Sequence, residues 1–186
     1  MRRTVLAAAM LAASVFGMRA ARSAEFTLSS PDIRDGGTIK TAQVFKGFGC
    51  AGGNISPTLS WSGAPAGTKS FALTVYDPDA PTGSGWWHWV VFDIPPTAHG
   101  LPKGAGDPKS GQMPKGSLQG RTDFGTAGYG GPCPPQGDKP HHYHFTLFAV
   151  DVDHLDADAA SSAALVGFNL HFHTLAKASF IGLYGR

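Results

Sequence analysis

The chain has 186 residues, with 15 Lys and Arg against 13 Asp and Glu for a formal charge of +2. That length suits one domain with its own core, and the lack of basic clusters argues against nucleic acid or an anionic membrane surface as partner. Its two cysteines, Cys50 and Cys133, have no ligand partner two or three residues away, so a zinc site has no starting point.

The first 24 residues read as a secretory signal peptide. Met1-Arg2-Arg3 is basic, an apolar run of about 13 residues reaches Gly17, and small residues surround a cut site near Ser23 or Ala24. The run is too short to span a bilayer, which takes roughly 20 residues. Cleavage would lower Lys and Arg from 15 to 11 against 13 acidic residues, changing the formal charge to −2. The product, residues 25–186, is predicted to be a single periplasmic or secreted domain without integral membrane contact. An even cysteine pair in an exported protein closes a disulfide, whereas in the cytosol the same pair stays as free thiols. Export favours the Cys50–Cys133 bridge, and so long a loop contributes about 4 kcal/mol in the chain-entropy picture.

Short β-prone runs separated by Gly and Pro predict an all-β chain. The expected strands are Phe26–Leu28, Ser70–Tyr76, Trp86–Ile94, Tyr143–Val150 and Ala178–Tyr184. Residues 95–140, rich in Gly, Pro, Lys and Asp, read as an ordered functional loop. Asp156 or Asp158 can cap a helix over Ala159–Val166, and a second short helix is expected over Asn169–Lys177.

The most chemical stretch is 76–95, YDPDAPTGSGWWHWVVFDIP. The prolines restrain Asp77 and Asp79 on a stiff loop. In the strand that follows, period two puts Trp86, His88, Val90 and Phe92 on one face and Trp87, Trp89, Val91 and Asp93 on the other. A second polar group begins the later strand, where His141 and Tyr143 share a face beside Gly128–Pro135. Glycines there would let a ligand reach the main chain; the plain alternative is a surface loop packed on a strand.

Other motifs fail on context. Gly47–Gly52 matches G-x-G-x-x-G, but Asn54-Ile55-Ser56-Pro57 cannot open the helix a dinucleotide loop needs. There is no G-x-S-x-G elbow. Asp151, Asp153, Asp156 and Asp158 miss the calcium-loop spacing. His171 and His173 would diverge on the expected helix.

Together, DPDAP, WWHW and GPCPPQGDKPHHYHF resemble the phosphatidylethanolamine-binding protein family, and its bacterial Raf kinase inhibitor-like branch in particular. Further likeness lies in Gly52–Pro57, Gln119–Gly125 and Val166–His173, so the resemblance covers about residues 26–186. It implies an antiparallel Greek-key β-sandwich with small peripheral helices and an anion pocket at one end. Carried across, the pocket residues are Asp77, His88, His141 and Tyr143, with Asp79 as supporting carboxylate. Ala80, Pro81, Trp86, Gly131, Pro132, Cys133, Pro134 and Pro135 would be walls. Ending at Arg186 without the C-terminal helix of the animal members is expected to leave the pocket more open. Pro132-Cys133, which the animal loop lacks, supports Cys50–Cys133 as a clamp on the pocket loop.

The resemblance implies a non-enzymatic binding or regulatory protein for small anions, phosphate monoesters or phosphorylated head groups, needing no metal or cofactor. Its imidazoles, phenol and backbone N–H groups would serve as donors. The alternatives are an inhibitor of a kinase or protease acting through its surface, and a hydrolase using the Asp/His cluster. A homodimer and a protein target stay open; nucleic acid is not expected.

Overall fold

The computed structural model describes residues 25–186, so the expected signal peptide lies outside the described residues. In chain order the strands are β1 (Thr27–Ser29), β2 (Gly37–Thr38), β3 (Lys46–Gly47), β4 (Cys50–Ala51), β5 (Leu59–Ser62), β6 (Ser70–Asp77), β7 (Trp86–Ile94), β8 (Gly100–Leu101), β9 (Leu118–Gln119) and β10 (His141–Val150). Helix α1 (Ala163–His173) and strand β11 (Thr174–Tyr184) complete the chain. The large sheet has the order β2-β11-β10-β6-β7-β9, a smaller one β1-β5-β8, and β3-β4 is a separate hairpin.

Strand β6 explains why the large sheet lies at the centre. Its Phe71, Leu73 and Val75 pack with Phe145 and Leu147 of β10 and with Leu28, Leu59 and Trp61 of the small sheet. On its other side Ala72 joins Val90 and Phe92 of β7 beneath Val166 and Leu170 of α1. A strand apolar on both faces is stable only when both are covered, each large side chain contributing about 1.5–3 kcal/mol.

The described residues are mostly β-sheet with one short helix. The expected antiparallel arrangement does not hold throughout: β2 runs parallel to β11. The turn before β2 is latched there, with Gly36 N–H on the Ile181 carbonyl at 2.8 Å and Ile181 N–H on Asp35 Oδ1 at 2.9 Å.

Neither expected helix forms within its expected bounds; the single α1 joins the end of the first to the start of the second. The N-cap of α1 is Ser162, whose side chain accepts the Leu165 N–H. Asp158 instead accepts from Ala160 N–H and the Ser161 hydroxyl in the preceding turn. The helix ends at His173, and Thr174–Lys177, expected to be helical, already pair with β10. β-Ladder bonds replace helical ones there because β10 extends a row of free partners.

The face assignment of β7 is also corrected. Trp86 and His88 share a side, but Trp89 and Val91 lie in the core with Leu73 and Val75, while Val90 and Phe92 face α1. The β6–β7 register shifts between Val75 and Tyr76, leaving His88 without a Cα partner. A bulge adds one residue and inverts the side chains that follow, until a second register shift between Val91 and Ile94 restores the phase.

Candidate functional site

Antiparallel order brings the end of β6 beside the starts of β7 and β10. Asp77, His88, His141 and Tyr143 therefore meet at one end of the large sheet. Asp77 closes β6, and its Oδ1 accepts the Asp79 N–H at 2.9 Å, an Asx turn that starts the proline loop. That loop returns through Gly85 at φ +69°, where a Cβ would run into Tyr76 Oη and the Asp77 carbonyl. Glycine is required for so close a return.

The four residues line a cavity of about 170 Å³ with Ala80, Pro81, Trp86, Cys133, Pro134 and Pro135. Phe48, Thr82 and Phe124 complete it. Three of the expected residues lie outside the lining. Asp79 turns away and its Oδ2 takes both the backbone N–H and the ring Nδ1 of His142, each at 2.7 Å. The Gly131 N–H is taken by Asn54 Oδ1 at 2.7 Å, and a Cβ there would strike the Gln43 carbonyl, so this glycine admits the 43–45 backbone rather than a ligand. Pro132 gives its carbonyl to Phe45 N–H at 3.0 Å. At neighbouring Gly130 the missing Cβ makes room for the Phe124 ring.

The polar groups have defined roles. His141 Nδ1 stands 2.8 Å from Asp77 Oδ2 in a pair that is almost fully buried. An Nδ1–H donated to the carboxylate leaves Nε2 as the outer ring atom, 3.6 Å from Asp138 Oδ2. His88 Nδ1 lies 2.7 Å from the Gly130 carbonyl, which can only accept, so Nδ1 carries the proton. Sequence reasoning treated His88 as a donor to the ligand, yet that donor is already bonded. Burial pushes the His88 imidazole down to about 4, against the opposing pull of the Gly130 carbonyl and Asp77. The ring is neutral near pH 7.

Of the buried side-chain donors without a hydrogen-bond partner among the described residues, two belong to the cavity lining: Tyr143 Oη and Trp86 Nε1. Burial, together with the Asp77 charge, pushes the Tyr143 phenol well above its usual range, so it stays a donor. An unpaired buried donor costs about 1–3 kcal/mol, a deficit that a ligand oxygen would remove.

One wall is aromatic and could not be read as such. Phe124 packs 4.5 Å from Phe45, 5.9 Å from Phe48 and edge-on to Trp86 and His88 at 5.4 Å between centroids. Phe48 and Gly49 make the two-residue turn of the β3–β4 hairpin at φ +52° and +82°. Two devices hold this turn over the cavity. Cys50 is bonded to Cys133, as expected, and Arg186 donates to the carbonyls of Pro134, Gly49 and Phe48 at 2.7, 3.2 and 3.2 Å. Gly47–Gly52 is thus a hairpin. The signal that could have found Phe48 is a lone aromatic between glycines, two residues before a bridging cysteine.

Two further histidines pair with carboxylates away from the cavity. His173 pairs with Asp151 at 2.9 Å, and His154 with Asp93 at 3.1 Å. No helix of the described residues is long and apolar enough to cross a membrane.

Comparison with known proteins agrees with this architecture. A family profile described as phosphatidylethanolamine-binding protein matches residues 29–185. The UPF0098 protein YbcL of Escherichia coli is 50% identical over 182 residues, 98% of either chain. The crystal structure of E. coli YbcL, described as a new member of the mammalian PEBP family, superposes with a TM-score of 0.86 over 88% of this chain and 99% of that one. E. coli YbhB, another UPF0098 protein, is 54% identical over 84% of this chain and 98% of its own. LppC of Mycobacterium tuberculosis, named as a lipoprotein, is 41% identical over 68% of this chain and 56% of its own.

Proposed function

Because the chain belongs to the phosphatidylethanolamine-binding protein family, we propose that it is a non-enzymatic binding protein whose cavity takes a small oxoanion, a phosphate monoester or a phosphorylated head group. The observation that carries this reading is the pair of orphaned donors, Tyr143 Oη and Trp86 Nε1, on a cavity that also holds the Asp77–His141 pair. Phosphoryl oxygens accept such donors well, and a cavity of this size admits a small head group. Export to the periplasm or beyond is part of the proposal, supported by the Cys50–Cys133 disulfide and by a lipoprotein-named relative. The orphaned donors favour neither surface inhibition of a kinase or protease nor hydrolysis by the Asp/His cluster.

Calorimetric titration with methyl phosphate tests the reading. The unchanged protein should bind saturably, and Tyr143→Phe, which removes one hydroxyl and keeps the ring, should weaken binding about tenfold. Absence of binding, or a Tyr143→Phe protein indistinguishable from wild type, overturns it.

A further inference from the structure

The cavity has an electrostatic character that sets it apart from phosphate sites built on arginine or lysine. Among the described residues no Lys or Arg lines it, and the one carboxylate of that lining, Asp77, is paired with His141. The guanidinium of Arg186, which bonds to the Pro134 and Phe48 carbonyls of the wall, is engaged with three backbone carbonyls in all. A fully ionised phosphate dianion would therefore meet a buried carboxylate with no fixed cation to offset it.

His88 adds a second constraint. Its Nδ1–H is held by the Gly130 carbonyl, so Nε2 presents a lone pair, and its neighbours do not alter this. From β6 it is faced by Asp77, from β10 by Tyr143 and His141, and from the Phe124 loop by Asp123. Burial keeps the ring neutral at pH 5 and above, with a value near 4. An oxoanion oxygen brought against Nε2 puts lone pair against lone pair, unless that oxygen carries hydrogen.

Resting on the oxoanion reading above, we propose that His88 makes the cavity selective for oxoanions that bring a proton. Singly protonated phosphate monoesters are taken, with the P–O–H donating to His88 Nε2 while Tyr143 Oη and Trp86 Nε1 donate to the unprotonated oxygens. Sulfate esters, which have the same charge and shape but no hydrogen to give, are rejected.

Methyl phosphate and methyl sulfate distinguish these cases at about pH 5, where both are monoanions. Calorimetry on the intact protein should show methyl phosphate binding at least about tenfold more tightly, the penalty for an unpaired buried acceptor. His88→Gln, whose amide supplies N–H as well as C=O, should bring the two affinities to within about threefold. Equal affinities in the wild-type protein would leave the oxoanion reading standing and overturn selection by His88. A ratio unchanged in His88→Gln would also overturn it, and failure of both esters to bind would overturn the oxoanion reading itself. The wild-type ratio decides the matter even where the variant does not fold. A further wild-type measurement is affinity against pH. It should fall about tenfold per unit above the ester's second ionisation near 6, and a flat profile contradicts the proposal.

Discussion

Two Asp–His pairs stand side by side at the end of the large sheet and behave differently. Asp77–His141 and Asp79–His142 have the same residue types and nearly the same spacing, 2.8 and 2.7 Å. Yet the side chains of the first are 3% and 5% exposed, while those of the second are 41% and 51% exposed. A third imidazole, His88, is buried like His141 but faces a carbonyl in place of a carboxylate. Motif and geometry are thus shared, and burial together with partner charge decides what each histidine does. In the first pair a charge cannot be left alone; in the second, water and salt substitute for either partner.

The largest effect should follow from breaking the buried pair. Asp77→Ala removes the partner of His141 Nδ1 and the acceptor of the Asp79 N–H together. Denaturant unfolding near pH 7 should show a loss of about 3–5 kcal/mol, the usual outcome of leaving one member of a buried pair uncompensated. A loss under about 1 kcal/mol would mean that Asp77 is no more desolvated than Asp79.

The histidine without a carboxylate should come next, and its effect depends on pH. Its folded value, about 4, lies below the unfolded 6.5, so the unfolded chain takes up this proton first. Acid therefore lowers stability between about pH 6.5 and 4, by up to roughly 3 kcal/mol for this one group. His88→Gln should flatten that limb of the stability curve. Parallel curves for the two proteins would show that His88 is not buried as a neutral base.

Strand phase singled out Asp77, His88, His141 and Tyr143 as two separate polar groups, and only the family resemblance brought them into one pocket. Three strongly β-prone runs had clear periods, and antiparallel neighbours place the end of one beside the starts of the others. What escaped depended on local events without a period. The bulge at His88 inverted the faces of Val90 and Phe92, and no alternation pattern announces an inserted residue. Phe124 lies in an irregular segment, and its place over Gly130 is set by contacts between loops far apart in sequence. Gly131 looked like an opening for ligand because glycine is small; the space is filled by the 43–45 backbone. Asp158 and Ser162 are both good N-caps, and covering Ala72, Val90 and Phe92 selected the later start.

The smallest effect, and the one that best sharpens the contrast, belongs to Asp79. Burial alone would raise its carboxyl, but hydrogen bonds from the His142 side chain and backbone outweigh that and hold it below the usual carboxylate range. A depressed carboxylate contributes stability that is present above the unfolded value of 3.8 and disappears as pH falls through the lower folded value. Its contribution at pH 7 should be small because both partners face water: about 0.5–1 kcal/mol for Asp79→Ala, much of it the lost acceptor for the His142 N–H. A double-mutant cycle of Asp79→Ala with His142→Ala separates the side-chain coupling from that backbone bond. The coupling should be under about 1 kcal/mol and should shrink between about 0.1 and 1 M salt, as screening shortens the reach of exposed charges from about 10 to 3 Å. A salt-independent coupling as large as the loss from Asp77→Ala would erase the distinction. Partner identity rather than burial would then govern the two pairs.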